Sequence, residues 1–366
     1  MIRTEELLLN VGPQHPSTHG VFRIVVKIDG EVITEATPVM GYLHRGTEKL
    51  AENLNYTQII PYTDRMDYVS AMTNNYVICH AVETAMQLEV PERAEFLRLI
   101  VMELQRIASH LVWWGTYLLD IGAMSPFLFA FKDREKIIDF FNEISGARLT
   151  YNYMRVGGVK WDAPEGWLDR VREFIPYMRK QLDVYATLVS GNEIFMSRIK
   201  GIGQYDAQTA IKYGLSGANL RCAGVKWDLR KDQPYSLYER FDFDVAVGTN
   251  GDCYDRYLVR VEEMHQSLRI LEQALEQIPA EGEIMGKVPR VIRPPEGEVY
   301  VRIESPRGEI GCHLISKGKA EPYRLKFRRP SFVNLQILPK LLVGETMTNM
   351  VTILGSIDIV VGEVDA

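Results

Sequence analysis

The spacing of hydrophobic and polar residues divides the chain into three stretches. Residues 21–28 (VFRIVVKI) are rich in β-formers, Asp29-Gly30 reads as a two-residue turn, and residues 31–40 return as a second strand, so the chain opens on a predicted β-hairpin. A glycine-flanked segment, GYLHRG over 41–46, leads into a short helix over 47–54 with His44 and Arg45 at its mouth. From about Tyr62 the pattern turns helical, over 68–88 and then from Pro91 through 119, where residues 96–119 are apolar nearly all round and predict a buried helix. Further helices are expected over 133–153, 164–190 and 252–277. After a Pro/Gly-rich linker over 279–297, strands return at 299–304, 309–316 and 323–328 as a small antiparallel sheet. The tail, 344–366, is too apolar to lie free in water. The expected fold class is therefore α+β, mainly α. It divides into an N-terminal hairpin with its preceding loop (1–60), a helical bundle (61–290) and a C-terminal sheet, helix and buried tail (291–366).

Two features depart from this pattern. Three polar residues interrupt the buried helix: Glu103, Arg106 and His110 fall at i, i+3 and i+7, on one side. Each must find a partner there, so they form either a satisfied buried network or a set of direct ligands. The second feature is VGPQHPSTHG over 11–20, whose prolines and glycines exclude helix and strand interiors and hold His15 and His19 on a stiff loop. That loop is either a turn whose histidines cap backbone groups or part of a site. Gly201-Ile202-Gly203 reads as an ordinary turn, because it lacks the third glycine and the preceding strand of a dinucleotide fingerprint.

Composition narrows the function classes. With 366 residues, 46% hydrophobic and 25% charged, the chain can build a sizeable core. A net charge of −6 argues against nucleic acid, and the basic run of Lys326, Arg328 and Arg329 alternates along a strand like a solvated face. The four cysteines, Cys79, Cys222, Cys253 and Cys312, are scattered, which leaves no CxxC metal site and points to a reducing compartment. No leader-like segment and no run of eighteen apolar residues is present, so membrane association is expected to go through partners.

The segments GPQHPSTHG (12–20), GYLHRGTEKLAE (41–52), RMDY (65–68), ELQRIASHL (103–111), LDIGAMSPF (119–127), GLSGANLR (214–221), YLVRVEEM (257–264), ESPRGE (304–309) and LGSIDIVVGEVD (354–365) together resemble one family. It is the quinone-site subunit of respiratory complex I, the proton-translocating NADH:quinone oxidoreductase. That family is similar in fold to the large subunit of nickel–iron hydrogenases, whose four metal-binding cysteines correspond here to Asp67, Ser70, Val360 and Glu363. A metal pair of that kind needs soft thiolates, so the rival reading as a metal-binding hydrogenase subunit fails on ligand chemistry. A non-catalytic scaffold is the other rival.

The resemblance implies a quinone pocket formed against a neighbouring subunit that carries an iron–sulfur cluster, with no cofactor bound by this chain alone. It implies a catalytic set of His19, Tyr68 and Asp120: His19 and Tyr68 hydrogen-bond the quinone carbonyls and Asp120 pairs with His19. The binding set adds His15 and Arg45, the latter beside the partner's cluster unless it simply pairs with Glu48. Other implied partners are the peripheral-arm and membrane-arm subunits, and the implied location is peripheral, on the cytoplasmic side of the cell membrane. The chain departs from the family pattern at Thr150, where many members carry a histidine. Either the missing imidazole lowers the cluster's potential and suits menaquinone, or Thr150 is a neutral helix residue bonded to a carbonyl one turn back.

Overall fold

The computed structural model describes residues 6–14 and 20–366, so both loop histidines, His15 and His19, lie outside the described residues. β1 (Leu7–Val11), β2 (Arg23–Asp29) and β3 (Val32–Val39) form an antiparallel sheet in that order. The hairpin turn is Gly30-Glu31, one residue later than Asp29-Gly30, because Asp29 pairs with Val32 and Gly30 takes the positive φ of 63° that a tight hairpin needs at its first central position. Ile24, Val26 and Ile28 of β2 point inward. β1 went unanticipated for a physical reason: its three leucines are exposed on an edge strand, so they carry no buried alternation to read.

The helical body follows: α1 (Thr47–Ala51), α2 (Tyr56–Thr63), α3 (Ala71–Met86), α4 (Glu92–Asp120), α5 (Met124–Ser145) and α6 (Trp167–Tyr185), the last running on into one π-helical turn at Ala186–Ser190. After the short helices α7 (Glu193–Ile199), α8 (Ala207–Lys212), α9 (Ala218–Arg221) and α10 (Leu229–Asp232) comes α11 (Cys253–Gln277), capped by Asp252, whose carboxylate accepts from Asp255 N–H. α4 lies at the centre, packed against α5, α11 and α14 (Met347–Ile357), which explains its burial on all sides. α5 differs from the expected 133–153. It starts at Met124 because Pro126 falls in its first turn, where a missing N–H costs nothing, and it stops before Gly146, which takes a left-handed φ of 80°. Thr150 and Tyr153 therefore belong to loop, ahead of the small hairpin of β4 (Met154–Arg155) and β5 (Gly158–Val159).

The C-terminal sheet is β6 (Gly297–Ser305), β7 (Gly308–Ser316) and β8 (Arg324–Arg328), antiparallel in that order. Then come α12 (Pro330–Leu335), α13 (Leu338–Leu342), α14 and α15 (Val361–Val364), and every residue from 352 to 366 is buried. Arg329 corrects the solvated-face reading: its guanidinium donates to the carbonyl oxygens of Glu363, Val364 and Ala366 and so clamps the tail. Among the described residues no helix is long and apolar enough to cross a membrane.

The polar side of α4 meets a network wider than the helix, although Arg106 Nη1 and His110 Nδ1 are buried with no partner among the described residues. Glu103 accepts from Arg106 and Arg230 at 3.3 Å each and from Tyr238 and Ser267 at 2.6 Å each. His110 does not join it directly; its ring nitrogen lies 2.8 Å from Glu263, which pairs with Arg221, and Arg221 in turn holds Glu304 at 2.7 Å. Glu103 stays ionised against a large burial penalty because Arg106 and Arg230 outweigh it. Glu103→Gln leaves a buried guanidinium excess and is expected to cost about 3–5 kcal/mol, read as a lowered unfolding midpoint.

Candidate functional site

The turn joining α2 to α3 carries the first element of the site. Asp67 is fully buried there and holds the turn from inside: its Oδ1 accepts from Val69 N–H at 3.1 Å, and its carbonyl accepts from Asn74 at 3.2 Å. Its Oδ2 accepts from the Arg307 guanidinium at 2.8 Å. Arg307 sits at the tip of the β6–β7 hairpin and also donates to Ser109 of α4 at 2.9 Å and to Asp358 Oδ1 at 3.2 Å. Asp358 ends α14 in a left-handed conformation, with its other oxygen 3.6 Å from Arg260 Nε of α11. One guanidinium thus ties together a turn, a hairpin, the central helix and the tail.

The next residue, Tyr68, is only 36% exposed, with its ring edge against the tail. A Cβ added at Gly362 would come within 3.0 Å of Tyr68 Cε1 and 2.9 Å of the Met66 carbonyl oxygen, so only glycine permits this approach. Burial raises the phenol's pKa, and the neighbouring Asp67 charge raises it further, which keeps the hydroxyl protonated and able to donate. Glu363, in α15, is also fully buried; its Oε2 accepts from Ser331 N–H at 3.0 Å while Oε1 has no partner among the described residues. Burial, reinforced by the charge of Asp67, pushes its pKa up to about 7.

Asp120 ends α4, half-buried, with its pKa raised to about 6 by burial. It lies beside the tail as well: a Cβ at Gly355 would meet the Tyr117 ring at 2.8 Å and Asp120 Oδ2 at 3.8 Å. Arg45 is exposed and donates to the Arg65 carbonyl at 2.7 Å, at the start of the Tyr68 turn. The alternative Arg45–Glu48 pair is not formed, because Glu48 instead accepts from Lys326 at 3.2 Å and from Phe327 N–H at 3.0 Å. The segment before Arg45 is fastened to the tail through Asp365, whose two oxygens accept from Gly41 and Leu43 N–H at 2.8 Å each. Thr150 lies half-buried in loop and its hydroxyl bonds to no described carbonyl, so the helix-bonded reading of that residue is overturned.

The structure therefore sets Tyr68 and Asp120 beside the C-terminal tail and fastens the segment before Arg45 to it, while Arg45 itself bonds to Arg65; His15 and His19 are outside the described residues. Of the four residues that the resemblance sets against hydrogenase cysteines, Asp67, Ser70, Val360 and Glu363, Asp67 is committed to Arg307. Two carboxylates, a hydroxyl and an alkyl group do not fit a thiolate-held metal pair. Sequence reading missed Arg307 and Arg260. The available signal was an arginine in the Ser-Pro-Arg-Gly turn between two strands, a costly place for a cation without an anion to meet it.

The family described as "Respiratory-chain NADH dehydrogenase, 49 Kd subunit" matches residues 120–366. Over 365 residues, all of this chain and all of each relative, the chain is 72% identical to an NADH-quinone oxidoreductase subunit of Bacillus mycoides and 72% identical to its counterpart in Bacillus anthracis. It is 73% identical over the same span to the protein of the same name from Bacillus cytotoxicus.

Arg307→Met removes the shared cation from two buried carboxylates and is expected to cost about 3–5 kcal/mol. Burial already raises the pKa of Asp67 in the wild type, and without Arg307 it rises further. A raised carboxyl favours the fold below its unfolded pKa and loses that benefit as pH climbs through the folded value. The deficit of the variant should therefore be largest at neutral pH and shrink on acidification, which denaturation midpoints measured across pH will show.

Proposed function

Because the chain belongs to the 49 kDa subunit family of the respiratory-chain NADH dehydrogenase, we propose that it forms the quinone-reducing site of NADH:quinone oxidoreductase together with a neighbouring iron–sulfur subunit. As a subunit of an oxidoreductase complex it works with other subunits, and in this reading they include the peripheral-arm and membrane-arm components. The chain then lies peripherally, on the cytoplasmic face of the cell membrane. The names of its relatives, which specify a quinone, support this reading.

The observation that carries it is the phenol of Tyr68, half-exposed on a turn that the buried Asp67–Arg307 pair holds still. A cluster in the partner subunit would supply the electrons, and negative charge would then develop on the quinone oxygens. A fixed hydroxyl aimed at such an oxygen stabilises the reduced ring without reorganising, and can pass its proton on. His19 donates to the other carbonyl, with His15 on the same loop, and Asp120 keeps the His19 imidazole charged and oriented. Arg45, fastened to the Arg65 carbonyl, would present a fixed positive charge to a cluster in the partner subunit and so would favour its reduced form. Thr150 cannot gain a proton near neutrality as an imidazole would, so the cluster's potential stays low and suits menaquinone or a similar naphthoquinone.

Tyr68→Phe keeps the ring packing and removes only the donor. Loss of one such hydrogen bond costs about 2.7–4 kcal/mol at comparable charge-stabilising sites, so quinone reduction should fall about a hundredfold or more while the complex still assembles and oxidises NADH with an artificial acceptor. Near-normal quinone reductase activity would remove Tyr68 from the site. For Thr150, redox titration of the partner cluster should give a midpoint that is flat with pH in the wild type and acquires a pH slope in Thr150→His. A slope already present in the wild type would point to another titrating group and take away the argument for menaquinone.

A further inference from the structure

Behind Tyr68 the charges do not balance. Asp67, Asp358 and Glu363 are buried together, and the guanidinium groups that meet them are Arg307, on Asp67 and Asp358, and Arg260, 3.6 Å from Asp358. Arg329, the remaining cation packed against α15, donates to the backbone carbonyls of residues 363, 364 and 366 and to no carboxylate. Among the described residues three carboxylates face two guanidiniums, and Glu363 is the one that makes no ion pair there; its Oε1 is buried with no partner among them. An ionised carboxylate in that position would be strongly penalised, whereas a protonated one is neutral. Glu363 also directly follows Gly362, the residue on which the Tyr68 ring edge rests.

We propose that Glu363 is a proton-holding residue of the quinone site, whose buried carboxyl restores the proton that Tyr68 gives to the reduced quinone. The quinone takes its electrons from the partner's cluster; the Tyr68 O–H bond breaks as an O–H bond forms on the quinone oxygen. The Tyr68 phenolate then takes the proton of Glu363, leaving a carboxylate that is reprotonated from solvent before the next turnover. No residue of this chain is oxidised or reduced. Asp67, adjacent to Tyr68, raises the proton affinity of both Tyr68 and Glu363, while the Arg307 guanidinium that meets Asp67 lowers both, so one buried pair acts on the two sites together. Since the pKa of Glu363 stands at about 7, its proton is present below neutrality and lost above it.

This inference rests on the reading of Tyr68 as quinone donor, and the test keeps the two apart. In membranes containing the assembled complex, Glu363→Gln keeps an oxygen to accept from Ser331 N–H and imitates the neutral acid without a proton to give. Wild-type quinone reduction should decline as pH rises through about 7; the variant should be slower by about a hundredfold at pH 6 and lack that decline. Glu363→Asp should recover part of both the rate and the pH dependence. NADH oxidation with an artificial acceptor should be unchanged in both variants. Infrared difference spectra between acid and alkaline pH should show a protonated-carboxyl absorption, to which Asp120 also contributes, and Glu363→Gln should remove the component that titrates near pH 7. A wild-type rate and pH profile in Glu363→Gln, or a carboxyl absorption that the substitution leaves unchanged, overturns the proposal. A normal Glu363→Gln beside an inactive Tyr68→Phe retires Glu363 alone, whereas normal turnover in Tyr68→Phe retires both readings.

Discussion

Arg307 holding Asp67 and Asp358 is the interaction on which the rest of the site depends. Its partners lie 240 and 51 residues away, on a turn between helices and at the end of another helix, and all three side chains are buried. A buried ion group is a weak source of stability, because desolvation consumes most of the attraction, but it is demanding of geometry: any arrangement that separates the charges leaves one of them stranded. That demand is what keeps the Tyr68 turn in one conformation. Here the cation's main contribution is position.

The tail is the second half of the same device. Its fifteen buried residues run past Asp120 at Gly355, past Arg307 at Asp358, past Tyr68 at Gly362 and past the segment before Arg45 at Asp365. Two glycines let it approach closely where a side chain would collide, and Trp113 of the central helix fastens it by donating to the Gly355 carbonyl at 2.8 Å. Groups from four distant parts of the chain thereby keep fixed separations. A site that must stabilise charge as it develops gains from such rigidity, because donors already in place cost no reorganisation.

The wider interior follows the same logic. Glu103, Arg230, Asp228, Arg221, Glu263 and Glu304 form a continuous run of buried charges between α4, α11 and the C-terminal sheet, and His110 closes one end of it. Burial works against every charge in that run. The guanidiniums hold Asp228 down to about 2, while burial, reinforced by the charge of Asp228, pushes Glu304 up. The result is an interior whose charges are mutually dependent and which has few alternative packings.

Local period and the demand for burial were legible in residue order alone. The β-rich run over 21–28, the all-round apolar helix ending at Asp120, the three late strands and the greasy tail each state their environment within a window of a few residues, and each took the form expected. Where the local signal was silent or mixed, the reading slipped: β1 is an exposed edge, and the start of α5 depended on a proline whose position in a first turn is harmless. The sequence could also say that Glu103, Arg106 and His110 needed partners, but not that His110 would pair with Glu263, 153 residues away, or that Arg307 would gather Asp67 and Asp358. A buried charge specifies only that an opposite charge must meet it. Which one does is decided by the packing of whole elements, since Coulomb attraction and hydrogen bonding act through space and leave no trace in spacing along the chain.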